Sequence, residues 1–445
     1  MTKFHLTTLG CPKNSVDSDK ISNSLMTQGV DESTDVEDAD IVVVNTCAFI
    51  ESARTESIDT VLALAEIKKS GAQLVVTGFM AQRYGDELAE ALPEADLVVG
   101  FDGASKILQN LKSPNQELIQ LTSKKSNPRP KGVKDLLDLP RPAPSEPWAY
   151  IKLAEGCNRS CAFCAIPTFR GKQQSRTIDS IVREARELVA GGVKELVLIS
   201  QDIAWYGKDL DDKEVTLSKL IKELDQIGNE ELPWLRILYL YPSEIKGELL
   251  DTLLNTKSVV PYFDLSLQHA SKPLLKHMSR WGSGEQFAEL ISTIRASNPQ
   301  ASFRSSFITG FPGETEEDHK ELLDFIQTTK LDWAGFFPYS KEEGTRAFKY
   351  EDQIPDEIIK ERNQQLIDAQ QTVNEELRQR HIGQTLDVLV TEIEDNELIG
   401  RSHHESPEVD GVVIIDDDSG QAKIGQVIKV EIDSVIGVDL VGHTI

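Results

Sequence analysis

Apolar and polar residues alternate along the first 112 positions in the pattern of buried strands separated by amphipathic helices. The stretches FHLTTLG, DIVVVNTC, QLVVTGFM and DLVVG are rich in β-branched residues and mostly end at a glycine or a turn, which is typical of buried strands. Helical periodicity in SDKISNSLMTQG and over residues 53–69 falls between them. This alternation predicts a small parallel α/β domain over residues 1–112.

Residues 113–147 break the pattern with seven prolines, which predicts a linker or an ordered connecting arm. From residue 148 the alternation resumes, with six strand candidates: YIKLAEG, ELVLISQD, LRILYLY, YFDLSLQH, FRSSFITGF and WAGFFPYS. Six strand–helix units predict a partial (β/α)6 barrel, whose chemistry lies at the C-terminal ends of the strands. A long polar helix over residues 355–380 completes this domain, predicted to span residues 148–380.

The last segment, residues 381–445, carries short strand patterns separated by turns: TLDVLVTEI, GVVIID, GQVIKVEIDSV and GVDLVG. Short, closely spaced strands of this kind predict a small β-barrel. The expected fold class is therefore α/β, with a parallel N-terminal domain, a central partial barrel and a small C-terminal β-barrel.

Composition limits the partners that the chain is expected to have. With 39% hydrophobic and 27% charged residues it resembles soluble globular proteins. The start MTKFHLTTLG has no apolar h-region, and no apolar run is long enough to span a bilayer, so we expect a cytoplasmic protein without a membrane partner. The net charge of −26 disfavours nucleic acid and favours a basic protein partner.

The stretch EGCNRSCAFCAIP places Cys157, Cys161 and Cys164 directly after the first strand of the central domain. A disulfide is disfavoured, because the chain has five cysteines and the expected compartment is reducing. A zinc-dependent interaction module would need a fourth ligand, and the next histidines, His269 and His277, lie far along the chain. A cubane iron–sulfur cluster accepts three thiolates and leaves one iron open. The spacing therefore favours a [4Fe–4S] cluster, with zinc as the less favoured alternative.

The pattern CxxxCxxC on the first loop of a partial barrel resembles the radical S-adenosylmethionine (SAM) superfamily, and Phe163 between the last two cysteines fits it. The resemblance implies that the open iron binds the amino and carboxylate groups of SAM. Reductive cleavage of SAM then gives a deoxyadenosyl radical. Cys157, Cys161 and Cys164 would be both metal ligands and the catalytic centre.

Further motifs resemble one family of that superfamily, the RimO methylthiotransferases: TLGCPKNSVDSD, VVNTCAFIESA, ELVLISQDIAWYG, LQHAS, FITGFPGET and YSKEEGT. The resemblance covers essentially the whole chain and implies an N-terminal methylthiotransferase domain, a radical SAM domain and a TRAM barrel. It implies methylthiolation of the β-carbon of an aspartate in small-subunit ribosomal protein S12. One SAM would be the radical source and another the methyl donor, with a reductant and a sulfur donor as further partners. The alternative is the sister MiaB type, which modifies adenosine in tRNA.

Charge distinguishes these two types. Residues 381–445 hold fourteen acidic residues against Arg401, Lys423 and Lys429, a net charge of −11. Such a barrel repels phosphate and suits a basic ribosomal protein, although acidic residues could merely keep a small barrel in solution. We therefore expect ribosomal protein S12 or the small ribosomal subunit as partner, and no stable nucleic-acid binding.

The family resemblance implies three more cysteine ligands in the N-terminal domain, which hold a second cluster. The sulfur that is attached to the substrate would come by way of this cluster. Cys11 and Cys47 match the first two ligands, but Phe79 stands where the family has the third, and phenylalanine cannot ligate iron. The second cluster would then use another ligand, be labile or be absent. If it is absent, radical formation need not be affected but sulfur insertion loses the route that the family uses, and a degenerate radical SAM protein that cleaves SAM without transferring sulfur is the alternative function. Alternatively, Cys11 and Cys47 are simply small buried residues.

Residues at the ends of barrel strands are the candidate SAM contacts. They are Gln201, Asp202, Gln268 and His269. Gly310, Gly313 and Glu314 in ITGFPGE resemble the superfamily segment that lies near the adenine of SAM, which implies a contact there. Each has an alternative structural role, since the polar side chains could shape loops and the glycines could serve a tight turn. Arg170 and Arg176, near the cluster, could bind a carboxylate or hold the loop.

Overall fold

The computed structural model describes residues 2–100, 107, 137–227, 232–394, 397–417 and 420–445. Its first part is a parallel sheet with strand order β2–β1–β3–β4–β5, flanked by helices. The elements are β1 (Lys3–Thr8), α1 (Pro12–Met26), β2 (Asp31–Glu32), β3 (Ile41–Thr46), α2 (Glu51–Ile67), β4 (Gln73–Gly78), α3 (Phe79–Ala91) and β5 (Leu97–Val98). The central strand β3 is buried along its whole length, as expected for a parallel strand covered on both faces.

Helix boundaries in this domain differ from the sequence prediction, and α2, predicted over residues 53–69, spans Glu51–Ile67. Helix α1 begins at Pro12, six residues before Ser18, where the predicted helical stretch starts. Proline is well suited to the first turn of a helix. The last two residues of QLVVTGFM are not strand but the start of α3 at Phe79. Gly78 makes this strand-to-helix turn at φ +89°, where an added Cβ would lie 2.6 Å from the carbonyl oxygen of Thr46.

Most of the proline-rich segment lies outside the described residues. Its C-terminal end, from residue 137, packs against both neighbouring domains. The Arg141 guanidinium donates to the Tyr150 carbonyl oxygen and to Asp19, and lies 3.5 Å from Glu184. This end is therefore an ordered connecting arm.

The central domain contains the six predicted strands. They form two three-stranded parallel sheets, β6–β9–β10 and β11–β12–β13, which a parallel bridge between Leu240 and Leu265 connects into one open, partial barrel. The strands are β6 (Trp148–Lys152), β9 (Glu195–Ile199), β10 (Trp234–Ile237), β11 (Tyr262–Gln268), β12 (Ser302–Thr309) and β13 (Trp333–Pro338). An additional antiparallel pair, β7 (Ala154–Glu155) and β8 (Gln174–Ser175), leaves the end of β6.

Helices pack around this partial barrel and share one apolar core with its strands. They are α4 (Ile166–Phe169), α5 (Ile178–Ala190), α6 (Leu217–Asp225), α7 (Gly247–Asn255), α8 (Lys272–His277), α9 (Gly284–Ser297), α10 (Glu316–Thr329) and α11 (Asp356–Gln379). The long helix α11 buries Ile359, Leu366, Ala369 and Val373 against this core, whereas its Ile358 is 40% exposed.

The C-terminal segment closes into a five-stranded barrel of order β14–β15–β16–β18–β17. Its strands are β14 (Thr385–Glu394), β15 (Glu397–Arg401), β16 (Val413–Asp416), β17 (Val427–Ile436) and β18 (Asp439–Thr444). The sequence pattern did not predict β15. The barrel contacts the central domain through a buried ion pair between Arg401 and Glu195 at 2.7 Å, and Glu195 also lies 2.6 Å from Arg236 of the central domain. Within the described residues, no helix has the length and apolar character needed to cross a membrane.

Candidate cluster site and the N-terminal cysteine pair

The three-cysteine loop leaves the central barrel at the C-terminal end of β6 and is closed at its base by β7 and β8. The Cys157 N–H donates to the Gly171 carbonyl oxygen at 3.1 Å, tying the two sides of the loop together. Gly156 has φ +78°, and a Cβ there would lie 2.5 Å from the Lys172 carbonyl oxygen. Only glycine permits this approach, so local backbone geometry fixes where the first cysteine begins.

Hydrogen-bond donors reach the sulfur atoms of Cys157 and Cys161. The Arg159 backbone N–H donates to Cys157 Sγ at 3.3 Å, and Arg280 Nη1 donates to Cys161 Sγ at 3.5 Å. Burial raises the pKa of Cys157 to about 11 and that of Cys164 to about 12. These two thiols therefore stay protonated at neutral pH until a metal displaces their protons, which makes metal uptake pH-dependent.

Two guanidinium groups, one from Arg159 within the loop and one from Arg280 beside it, stack on the same aromatic ring. The ring of Tyr241 lies 3.7 Å from the Arg159 guanidinium carbon and 4.2 Å from that of Arg280. Arg159 is also held by Asp202 at 2.5 Å and Glu244 at 3.0 Å. The stacking and ion pairs fix positive charge next to the sulfur atoms.

The donor set fits a cubane cluster. Three thiols lie on one short loop, and Arg280 supplies a positive charge that an anionic thiolate cluster favours. Across the described ranges, no three His, Cys, Asp or Glu side chains are grouped to hold a single metal ion. In a cubane each of Cys157, Cys161 and Cys164 would bind a different iron atom.

Replacing Arg280 with glutamine should make the reduction potential of a reconstituted cluster more negative. The substitution removes a positive charge that stabilises the reduced, more negative form, and we expect a shift of tens of millivolts, on the order of the 59 mV that equals one decade for one electron. An EPR-monitored redox titration measures the shift. Arg280→Lys is the control that retains the charge. Equal potentials in the glutamine variant and the unaltered protein would show that Arg280 does not tune the cluster.

Gln201 and Asp202 lie at the cluster loop. Gln201 Nε2 donates to Glu155 Oε1 at 2.7 Å, and Asp202 accepts from Arg159. Burial raises the pKa of Asp202 against the opposing effect of Arg159. Both side chains thus brace residues adjacent to the cysteines, and their contact with SAM stays a prediction.

The two arginines that the sequence singled out near the cluster are also structural partners of the loop. The fully buried Arg170 pairs with Glu155. Arg176 Nη1 donates to the Lys152 carbonyl oxygen at 3.1 Å and pairs with Glu184 at 2.6 Å. Of the two roles considered, the geometry supports holding the loop.

Gln268 is the last residue of β11, and His269 follows it at the same rim. Gln268 has φ +76°, a backbone conformation that non-glycine residues rarely adopt. His269 is fully buried, and its Nδ1 accepts from the Ser271 N–H at 3.0 Å. Burial lowers the pKa of His269 to about 3, so the ring is neutral at physiological pH. Their role toward SAM stays a prediction.

Gly310 and Gly313 form a tight turn after β12, with φ +75° and +82°. The Gly310 N–H donates to the Glu314 carboxylate at 2.5 Å, and Glu314 lies 3.1 Å from Arg362. A Cβ on Gly310 would overlap Ile359 of α11. The glycines therefore meet a structural requirement, whether or not the turn also contacts adenine.

Cys11 and Cys47 follow neighbouring strands of the N-terminal sheet. Cys11 lies between β1 and α1, Cys47 follows β3, and Phe79 follows β4. Because β3 pairs with both β1 and β4, these three positions meet at one edge of the sheet. Cys11 is partly exposed and Cys47 is buried. Burial raises the pKa of the Cys47 thiol.

Sequence patterns missed the charged residues that surround both cysteine sites. Arg280 donates to Cys161 from 119 residues away along the chain. Glu155 precedes the cysteine motif but was not recognised as an acceptor for Gln201, Arg170 and Lys152. A buried charge within an apolar strand end was the available signal, and it does not name its partner.

Family models match the three parts of the chain. Residues 3–100 match the Uncharacterized protein family UPF0004, residues 151–326 the Radical SAM superfamily and residues 382–445 the TRAM domain. These matches agree with the observed fold. The radical SAM match, together with the donor set on the loop, assigns a [4Fe–4S] cluster and SAM as cofactors.

Solved radical SAM proteins share this fold at low sequence identity. The radical SAM methyltransferase TsrM from Kitasatospora setae, whose structure holds cobalamin and a [4Fe–4S] cluster, superposes with a TM-score of 0.54 at 16% identity, covering 76% of this chain and 75% of that one. The cobalamin-dependent SAM radical enzyme OxsB gives a TM-score of 0.52 at 13% identity, covering 81% and 56%. Both similarities concern the fold alone.

Curated relatives are similar over nearly their whole length. The ribosomal protein uS12 methylthiotransferase RimO of Cutibacterium acnes is 42% identical over 99% of this chain and 97% of its own. The RimO proteins of Aquifex aeolicus and Clostridioides difficile are each 40% identical, covering 99% and 100% of this chain and 97% and 99% of their own. With three matching domains and full-length similarity, this chain belongs to the RimO family of ribosomal protein uS12 methylthiotransferases.

Proposed function

We propose that this chain attaches a methylthio group to the β-carbon of an aspartate in ribosomal protein uS12, in the cytoplasm. The observation that carries the proposal is the three-cysteine loop at the rim of the partial barrel, in a chain related over its full length to RimO proteins. When bound, the cluster and SAM supply a radical able to take a hydrogen atom from an unactivated C–H bond. The chain's own residues hold the loop, place charge beside it and form the surface on which the substrate binds.

The open side of the barrel suits a protein substrate. In the described residues the barrel consists of two three-stranded sheets rather than a closed ring, so that strand pairing does not close one of its sides. Trp281 directly follows Arg280 and is 41% exposed. An exposed indole at this rim offers an apolar surface for an incoming peptide loop.

The charge of the small barrel supports a basic partner. Some of its acidic residues are neutralised at the domain interface, where Glu405 pairs with Arg378 and Asp410 with Arg304. Others are exposed to solvent: Asp387, Glu392, Glu397, Asp416 and Asp433. Of the three cations, Arg401 is buried against Glu195. The exposed surface of the described barrel residues is therefore predominantly negative, which disfavours a phosphate backbone and favours a basic ribosomal protein.

The direct test incubates anaerobically reconstituted protein with SAM, a reductant, a sulfide source and small ribosomal subunits. Mass spectrometry of uS12 peptides should show one aspartate carrying a methylthio group in place of a hydrogen. A parallel reaction with tRNA, followed by nucleoside analysis, tests the MiaB-type alternative. A methylthio-modified adenosine in the tRNA, without modified uS12, would overturn the proposal. Formation of 5′-deoxyadenosine without either modified product would indicate a degenerate enzyme.

Neutralising the exposed barrel acids should weaken association with uS12. We expect the triple variant Glu392→Gln/Glu397→Gln/Asp433→Asn to bind several-fold more weakly at low salt and to show a reduced salt dependence, because complementary charge is lost. Surface plasmon resonance over a salt series measures both effects.

The matched control removes the same number of charges from helix α2, at exposed Glu56, Asp59 and Glu66. Equal weakening in the two variants would mean that net charge, rather than the barrel surface, governs binding.

A further inference from the structure

The position expected to hold a third N-terminal cluster ligand is filled. A Cβ on Gly10 would lie 2.9 Å from Cys47 Sγ, which shows how closely the two cysteine-bearing segments approach each other. Phe79, at the end of the adjoining strand, is only 2% exposed. Its ring centroid lies 5.7 Å from that of Phe169 and 3.5 Å from the Arg170 guanidinium carbon.

Arg170 is fixed in this position by buried partners. It is fully buried, pairs with Glu155 and lies 3.8 Å from the Asp17 carboxylate and 3.5 Å from the Asn14 side-chain oxygen. Moving the guanidinium away would remove one of the two cations that compensate the buried Glu155 carboxylate, the other being Lys152 at 2.7 Å. The cation–π pair of Phe79 and Arg170 therefore fills the space between the N-terminal domain and the cluster loop.

The described surroundings offer no replacement thiolate. The chain has five cysteines, and the loop uses three of them, so that only Cys11 and Cys47 remain. The Asn14 amide is already engaged, donating to the Leu9 carbonyl oxygen at 2.7 Å and the Thr46 carbonyl oxygen at 3.3 Å. Lys13 is 7% exposed and places its ammonium 3.3 Å from the Tyr239 ring centroid. The two buried carboxylates near this site, Asp17 and Glu155, are already paired with Lys152 and Arg170.

We propose that this chain carries a single [4Fe–4S] cluster, on Cys157, Cys161 and Cys164. The Phe79–Arg170 pair closes the N-terminal cluster position and leaves Cys11 and Cys47 as free thiols. The residues at the N-terminal site do not fit the second cluster that the family resemblance implies, because one of its three thiolates is missing and its place is occupied. The proposed methylthio transfer would then require a sulfur source other than an N-terminal cluster, and without one the chain would be the degenerate radical SAM protein considered above.

Iron and acid-labile sulfide per chain, measured after anaerobic reconstitution, test this inference without reference to methylthio transfer. The unaltered protein should hold about four iron atoms, the content of one cubane. The double variant Cys11→Ala/Cys47→Ala should hold the same amount. About eight iron atoms in the unaltered protein, falling to about four in the double variant, would overturn the proposal. An iron count that supports one cluster leaves the methylthio-transfer assay to decide the proposed function separately.

Restoring the thiol gives the complementary test. Phe79→Cys should raise the iron content to about eight and add a second EPR-active centre on reduction, whereas the size-matched Phe79→Ser should remain near four. Circular dichroism establishes that both variants are folded. Equal iron contents in a folded cysteine variant and a folded serine variant would show that the missing thiol is not what prevents the second cluster.

Discussion

Replacement of any one of Cys157, Cys161 and Cys164 by alanine is expected to abolish formation of 5′-deoxyadenosine from SAM. Each thiolate would bind a different iron of the cubane, so that losing one leaves a second iron without a protein ligand. We expect the rate to fall by more than ~10³-fold, equivalent to more than about 4 kcal/mol in the activation barrier. Chromatographic quantification of 5′-deoxyadenosine under reducing, anaerobic conditions measures the effect.

Ser160→Ala is the matched control for these variants. Ser160 lies within the same loop with its side chain exposed, and only its carbonyl oxygen accepts from Arg346. The substitution keeps that carbonyl and should leave deoxyadenosine formation within about twofold, as expected for a surface change. A cysteine variant that retains both iron and full activity would refute the assignment of that residue as a ligand.

The second large effect is expected on stability, from Glu155→Gln. Glu155 is 3% exposed and lies 2.7 Å from Lys152, with Arg170 as its other ion-pair partner. The substitution leaves two buried cations with less compensation, and breaking a buried pair in this way costs about 3 kcal/mol or more. We expect the melting temperature of the central domain to fall by several degrees in differential scanning calorimetry.

The ionisation of Glu155 also makes the stability of the central domain depend on pH. Burial raises the pKa of Glu155, but Arg170 and Lys152 outweigh this effect and lower it to about 2, from 4.5. Its stabilising contribution is therefore fully present above about pH 4.5 and is lost as the pH falls toward 2. The difference in melting temperature between the unaltered protein and Glu155→Gln should shrink over that window.

Lys222→Ala provides the comparison for an exposed ion pair. Lys222 lies 2.9 Å from Glu248, with both side chains more than half exposed, and pairs of this kind contribute little to the free energy of unfolding.

The double variant Glu155→Gln/Arg170→Met should be less destabilised than the sum of its single variants, because the two residues share one interaction. Strict additivity would contradict the coupling that the structure shows.

Local pattern was sufficient for most of the fold. The alternation of β-branched runs with helical stretches predicted the principal strands of the N-terminal sheet and all six strands of the partial barrel, because strand periodicity and burial are written into neighbouring residues. It missed β15, whose five residues ELIGR interrupt the apolar alternation with a glycine and end in an arginine. It also misplaced the start of α1, since residues near a helix N-terminus carry little periodic signal.

The sequence by itself determined the cysteine motif, the absence of a sixth cysteine and the substitution of phenylalanine at position 79. Only the tertiary structure decided what stands in place of the missing ligand. Arg170, from the central domain, covers the Phe79 ring and is held there by Glu155. Arg280 likewise reaches Cys161 across 119 residues. A buried charge needs a partner, but that partner is selected by the packing of separate domains and is not encoded in the local order of residues.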